Sequence, residues 1–414
     1  MTTNQSANGA ASEADLLNFG NQPVPRRVIL GPGPSSASPR VLRAMSQPII
    51  GYLDPAFFTV LDEVSALLDR VFITNQTTMT VAGAGSAGME AGLSSLLERG
   101  DKAIICVNGF FCERQILMCE RLGIEVVRVE TPYGTTVDPQ RLEDALNANP
   151  DAKLVSAIHA ETSAGVLQDI NTLSALAHDH DALFMTDVVT SLAGTPVEFD
   201  EWEVDYAYGG SQKCLAAPPG ISPVAISDRA LDHIRNRKTL PSSWYLDLNL
   251  IADYWGPDHV HHHTSPVSMI YGLREALMLV AEEGLETRWT RHEKVAQALR
   301  AGLAALNLDS PVDESNRLNQ LTVVSLPDEV NDQELRSALL DEYSIEVGRG
   351  LGQFAGKVIR IGLMGESCVP ANVFALLGAL EHILPRLGYE VPSGEAVAAA
   401  SKTLAADPAP VATI

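Results

Sequence analysis

The chain has 414 residues, 46% of them hydrophobic, which is enough for a large core and two domains. It carries 29 Lys and Arg against 52 Asp and Glu, a formal charge of −23, which argues against nucleic acid and anionic membrane as partners. No apolar run reaches the roughly 18 residues needed to cross a bilayer.

Residues 1–24 read as a flexible arm. Met1–Gln22 is polar and rich in Ala, Ser and Asn, and it lacks the basic and apolar regions of a secretory signal. The five cysteines are an odd number with no C-x-x-C spacing. They are expected to be reduced thiols of a cytoplasmic protein, not a disulfide frame or a zinc site.

From Thr78 to Ile226 strand-like and helix-like segments alternate. The strand-like Met79-Thr80-Val81 leads into Gly83-Ala84-Gly85-Ser86-Ala87-Gly88, and a helical pattern covers Met89–Glu98 with a stop at Arg99-Gly100. Such a Gly-rich turn offers bare N–H groups and the positive helix end to an anion. The glycines share the G-x-G-x-x-G spacing of dinucleotide sites, but no nucleotide-type βαβ unit opens the chain, so phosphate binding is the expectation. Next come a strand Lys102–Val107, the aromatic pair Phe110-Phe111, and a helix over Glu113–Leu122. A strand Val126–Val129, a helix Pro139–Asn147, a strand Leu154–Ile158 and a helix Leu173–His180 follow. Leu183–Asp187 is a short apolar strand ending in an acid, which places Asp187 at the ligand crevice of an open α/β sheet. This alternation predicts an α/β domain with a mostly parallel sheet, over residues 25–285.

Lys213 lies in Gly209-Gly210-Ser211-Gln212-Lys213-Cys214, among small residues that leave room for a bulky group. That setting suits a lysine joined through an imine to pyridoxal 5′-phosphate (PLP). Asp187 then pairs with the pyridine nitrogen, and a Phe of the aromatic pair stacks on the ring. The run His259-Val260-His261-His262-His263 has no carboxylate or Cys ligands at a known metal spacing, so no metal is expected. The amphipathic helix Ser268–Glu283 leads to a second pattern: helix Glu293–Ala305, strand Leu321–Leu326, helix Asp332–Tyr343, strands Ile345–Val347 and Val358–Gly362, and helix Ala371–Leu387. This predicts a smaller C-terminal α+β domain over residues 286–392, with 393–414 an Ala- and Pro-rich loose tail. Arg360 stands in an otherwise apolar strand and so needs an anion; its planar fork matches a carboxylate.

In order, these segments make the chain resemble the class V (fold type I) PLP-dependent aminotransferases, most closely those that use glyoxylate with alanine or serine. The likeness is carried by Leu30-Gly31-Pro32-Gly33-Pro34-Ser35, Gly83–Glu90, Asn108-Gly109, His159-Ala160-Glu161-Thr162-Ser163-Ala164-Gly165-Val166, Asp187–Leu192, Gly210–Cys214, His262–Ser268 and Arg360–Gly365. The resemblance implies a fold type I large domain, PLP as cofactor, and a homodimer with shared active sites. It makes Lys213 the imine lysine and Asp187 the partner of the ring nitrogen, with Thr162 near the ring hydroxyl and Phe111 stacked on the ring. Gly85, Ser86 and Gln212 would hold the phosphate, and Thr264 and His261 would reach the phosphate of the neighbouring subunit. Arg360 would bind the substrate carboxylate, with Gly33 lining the same pocket.

Three positions depart from the family pattern. His261 stands where a Tyr is common, Tyr52 stands where a His is common, and Arg349 adds a second cation near Arg360. A pair of arginines also marks the pyridoxamine–pyruvate aminotransferases, which remains an alternative activity. A PLP lyase of the same fold is another; a desulfurase would carry His before the lysine, where this chain has Gln212. The expected substrates are an amino acid (alanine or serine) and a 2-oxo acid.

Overall fold

The computed structural model describes residues 24–406. Its strands, in chain order, are β1 (Val28–Leu30), β2 (Thr77–Ala82), β3 (Lys102–Val107), β4 (Glu125–Glu130), β5 (Ala152–Ile158), β6 (Ala160–Glu161), β7 (Val166–Leu167), β8 (Leu183–Asp187), β9 (Tyr206–Tyr208), β10 (Ile221–Ile226), β11 (Leu321–Ser325), β12 (Ile345–Arg349) and β13 (Val358–Gly362). Seven of them form one sheet in the order β2-β10-β9-β8-β5-β3-β4. Neighbours from β9 to β4 run parallel, and β10 is antiparallel to both β2 and β9. Every residue of β8 and β10 is buried. Apolar side chains alternate to both faces, so a strand covered on both sides reads as a continuous apolar run.

Around this sheet lies the larger core, with Phe57, Leu61, Leu93, Leu154, Phe184, Tyr206 and Tyr208 among its fully covered side chains. Helices Pro55–Phe72, Pro139–Ala148, Ile170–Asp179 and Leu248–Trp255 each open on an Asp whose carboxylate accepts a first-turn N–H: Asp54, Asp138, Asp169 and Asp247. Helix Gly85–Leu96 differs. It begins four residues before the expected Met89, and Ala84 at its cap has no side chain to accept its N–H groups. Glycine has poor intrinsic helix propensity, so local preference favoured the later start.

The second sheet has the order β1-β12-β13-β11. Its core includes Leu299, Leu335, Ile359, Ile361, Leu376 and Leu380. Two boundaries differ from the expectation. Residues 28–30 lie outside the large unit, because β1 pairs in parallel with β12 and Leu30 packs in the smaller core. The expected tail at 393–414 is structured in its first part: Glu395–Ala405 is a helix that buries Ala396 and Ala400. It docks closely because Gly302, on helix Leu285–Ala305, has no side chain; a Cβ there would lie 3.0 Å from the Ala396 carbonyl. The expected arm, residues 1–24, lies outside the described residues except for Val24.

Gly302→Val should therefore loosen this last helix and lower unfolding stability by about 1–3 kcal/mol, the usual cost of overpacking. The denaturant midpoint checks it, and a chain ending at residue 393 should lose stability to a similar degree.

Candidate active site

Lys213 follows β9 by way of Gly209-Gly210, in the loop that leads back into β10. The segment that follows β1 holds it from the other side. Ser35 Oγ donates to the Lys213 carbonyl at 2.7 Å, and Ser35 N donates to the Gln212 carbonyl at 2.8 Å. Lys213 Nζ donates to the Pro32 carbonyl. Gly33, with φ near +119°, leaves the space the amine occupies: a Cβ there would lie 2.6 Å from Nζ. Burial lowers the Lys213 amine to a pKa of about 8; Asp187 opposes that shift, and Arg360 and Arg114 add to it.

Asp187 ends β8 and is 6% exposed. Its Oδ1 accepts from Val189 N at 2.8 Å, and its carbonyl accepts from His159 N at 3.0 Å. Burial raises its carboxyl pKa to about 7; the Val189 N–H and the Tyr208 hydroxyl pull down, and Glu161 pushes up. Val189 also reaches the glycine turn. A Cβ on Gly85 would lie 2.7 Å from Val189 Cγ2 and 3.3 Å from the Gly209 carbonyl, and a Cβ on Gly210 would lie 3.1 Å from Gln212 Oε1. Gly85, Val189, Gly210 and Gln212 thus meet at one place. The uncapped helix end supplies N–H groups and its dipole there, and Gln212 Oε1 is buried without a partner. Ser86, next along that helix, is exposed.

The third side is built from the hairpin β6–β7. Ser163 Oγ accepts from Phe110 N at 2.7 Å, and Glu161 Oε2 accepts from Phe111 N at 3.2 Å. These two side chains do the work of a cap for helix Phe110–Leu122, whose own cap residue is Gly109. Phe111 is partly buried, with the Arg114 guanidinium carbon 4.9 Å from its ring centroid. Thr162, buried between them, accepts at its carbonyl from Arg360 Nη1 at 3.2 Å.

Arg360 comes from β13 of the second sheet and is 4% exposed. Its Nε donates to the Arg349 carbonyl at 2.7 Å. Both bonds go to neutral carbonyls, which leaves most of the fork's five donors for another partner. Burial lowers its pKa to about 10, Arg349 pushes the same way, and Glu161 opposes. The Arg349 side chain is exposed.

His261 and Thr264 stand apart from these groups. Both are exposed; the His261 ring stacks on Tyr52 with centroids 5.1 Å apart. His262 and His263 are buried, their Nδ1 atoms 3.0 Å apart, and His262 Nε2 bonds the Trp244 carbonyl at 3.0 Å. Among the described residues no helix is long and apolar enough to cross a membrane.

The site brings together Gly33, Gly85, Phe111, Thr162, Asp187, Gln212, Lys213 and Arg360. Sequence reasoning missed Val189, Glu161 and Tyr208. The first two lie inside motifs already noted, but their contacts reach residues 50 or more positions away.

Residues 65–364 match the family described as Aminotransferase class-V. The alanine–glyoxylate aminotransferase of Felis catus is 38% identical over 88% of this chain and 89% of its own length. The crystal structure of the ureidoglycine–glyoxylate aminotransferase of Bacillus subtilis superposes with a TM-score of 0.90, at 37% identity over 92% of this chain and 99% of that one. The pyridoxamine–pyruvate aminotransferase of Mesorhizobium loti superposes with a TM-score of 0.87, at 30% identity over 91% and 96%. The chain belongs to the class V aminotransferases and is a PLP-dependent enzyme that takes amino acids and 2-oxo acids. The residues present fit that cofactor. A recessed amine suits its aldehyde, a carboxyl at a strand end suits its ring nitrogen, and the uncapped helix end beside the orphaned Gln212 amide suits its phosphate.

The pKa of Lys213 sets a pH test. A lowered value leaves the amine free for condensation above about pH 8, where an ordinary lysine is still protonated. The rate at which apoprotein takes up PLP should rise with pH and level off just above pH 8; a rise continuing past pH 10 would mark an unperturbed lysine.

Proposed function

We propose that the enzyme moves the amino group of alanine or serine to glyoxylate, giving glycine and a 2-oxo acid. The observation that carries the reading is Arg360: a buried guanidinium bonded only to carbonyls, on the neighbouring sheet to Lys213, with its fork unspent. A cation so placed suits the carboxylate common to donor and acceptor. The choice of glyoxylate is supported by the named activities of the Felis catus and Bacillus subtilis relatives.

PLP, when bound, supplies an aldehyde for amine exchange and a ring that takes up electrons. Lys213 would hold that aldehyde, and its Nζ, once freed by the donor's amine, would be the base for the proton on the donor α-carbon. Burial suits the work, because it lowers the amine to a pKa of about 8 and so raises the share of free base near neutral pH. Asp187 would pair with the ring nitrogen and favour its protonated form. Phe111 and Val189 would pack against the ring and shield it from water. Gly85, Ser86 and Gln212 would hold the phosphate, and Thr162 would serve the ring hydroxyl. Gly33 and Arg360 line the substrate pocket. Exposed on this chain, His261 and Thr264 suit a second copy, reaching the phosphate of its site in a homodimer.

A second reading rests on Arg349. Its nearness to Arg360 and the likeness to the Mesorhizobium loti enzyme favour pyridoxamine and pyruvate as substrates.

A half-reaction panel separates the two. The holoenzyme is mixed with alanine, serine, (S)-ureidoglycine or pyridoxamine while the visible band of the bound cofactor is followed. Bleaching by alanine or serine, reversed by glyoxylate, is the expected outcome. Bleaching by pyridoxamine alone, reversed by pyruvate, overturns it. Lys213→Ala should lose the band and all turnover. Arg360→Ala should raise KM for every carboxylate substrate by about thirtyfold or more, as truncating a buried charge partner does; an unchanged KM would remove its role.

A further inference from the structure

We propose that Tyr208 is a positioning residue for Asp187: braced from behind by Gln115, its hydroxyl keeps that carboxylate charged and aimed at the cofactor's ring nitrogen. The inference rests on the PLP reading of the site and goes beyond it.

Tyr208 and Asp187 are register partners on the adjacent parallel strands β9 and β8. Side chains of paired residues on neighbouring strands share one face of a sheet. Tyr208 is fully buried, and so are Gln115 and Ser156. Gln115 Nε2 donates to Tyr208 Oη at 3.0 Å. Ser156 Oγ, on β5, donates to Gln115 Oε1 at 3.0 Å. In this arrangement the Gln115 amide presents its oxygen to Ser156 and its N–H to the phenol. With that N–H donated to its oxygen, the phenol has a single proton to give, and Asp187, its register partner on β8, is the carboxylate on the same face of the sheet. The hydroxyl's effect on the Asp187 carboxyl runs in that direction, holding it ionised against burial.

A donor to a carboxylate makes it a weaker base. An Asp that is too basic takes the proton off the ring nitrogen and leaves a neutral ring, which accepts electrons poorly. Burial alone drives Asp187 that way. The chain Ser156–Gln115–Tyr208 opposes it from inside the core, where no water can take over a missing hydrogen bond. Tyr206, two residues earlier and also fully buried, offers a contrast. Its hydroxyl donates to the Gly88 carbonyl at 2.8 Å, a bond that serves packing only.

The test uses holoenzyme loaded with PLP labelled with nitrogen-15 in the ring. In the wild type the ring nitrogen should resonate as protonated. Tyr208→Phe should move the signal toward the unprotonated position and lower kcat about ten- to a hundredfold, the worth of one hydrogen bond to a charged group. The KM for the amino donor should change by no more than about threefold, because the carboxylate grip is untouched. Tyr206→Phe should leave the nitrogen signal in place. If Tyr208→Phe does not fold, Gln115→Leu replaces it and should give a smaller shift of the same sign. A wild-type nitrogen signal in the Tyr208 variant, or in the Gln115 variant where that replaces it, overturns the inference even if melting temperature falls. A wild-type protein that takes up no PLP overturns instead the reading beneath it.

Discussion

Keeping three charged groups out of water without pairing them off is the constraint on which this structure depends. Lys213, Asp187 and Arg360 are each shifted by burial before any other cause. Left to themselves, such groups neutralise or find a counter-ion. Here the backbone holds them instead: Lys213 against the Pro32 carbonyl, Asp187 on the Val189 N–H, Arg360 on the carbonyls of Thr162 and Arg349. Neutral dipoles stabilise a charge without cancelling it. The amine stays ready to condense, and the guanidinium stays open to an anion. The same arrangement costs stability, as strained functional sites commonly do.

The two sheets divide this work. The large sheet sets Asp187 at the carboxyl end of β8, beside the end of β9, and the loop that follows β9 carries Lys213 across the same crevice. The second sheet contributes Arg360, and its bond to the Thr162 carbonyl ties β13 to the β6–β7 hairpin. Glu161 sits at the join, fully buried. It accepts from Phe111 N and Ser163 N and lies close enough to Arg360 to favour its charge. One carboxylate therefore serves both the aromatic ring over the crevice and the cation at its mouth.

What the sequence revealed follows from how local each signal was. Lys213, the Gly85 turn and Asp187 were legible because each chemistry is written in a run of a few neighbouring residues. The strands β3, β8 and β13 were legible for the same reason, being short apolar runs with clear ends. Tyr208 carried no such local signal, since its meaning depends on strand register and on Gln115, 93 positions earlier. Val189 carried no local signal of its own, because what matters is where its methyl groups lie against Gly85 and Gly210. The helix Glu395–Ala405 was hidden by composition. An Ala-rich segment is a good helix former, but nothing local says whether a surface exists to dock it. That surface is Gly302 and its neighbours, nearly a hundred residues away. Strand β1 escaped because three residues carry no periodicity, and only the edge of β12 makes them a strand.

The acidic surface and the cationic crevice are best understood together. A formal charge of −23 repels small anions at long range, so the protein's overall field gives an anionic substrate no help on approach. Salt limits that repulsion to about 10 Å, roughly the Debye length. Inside that distance individual charges decide, and the cations around this crevice besides Lys213 are Arg114, lying over the Phe111 ring, Arg349 at the end of β12, and the buried Arg360. The exposed pair can meet an anion while it is still hydrated. The buried one can hold it only after that water is lost, where each hydrogen bond to a carboxylate counts for more. Such a gradient, from exposed to desolvated cation, is what a strongly acidic enzyme would need to draw a small carboxylate in locally.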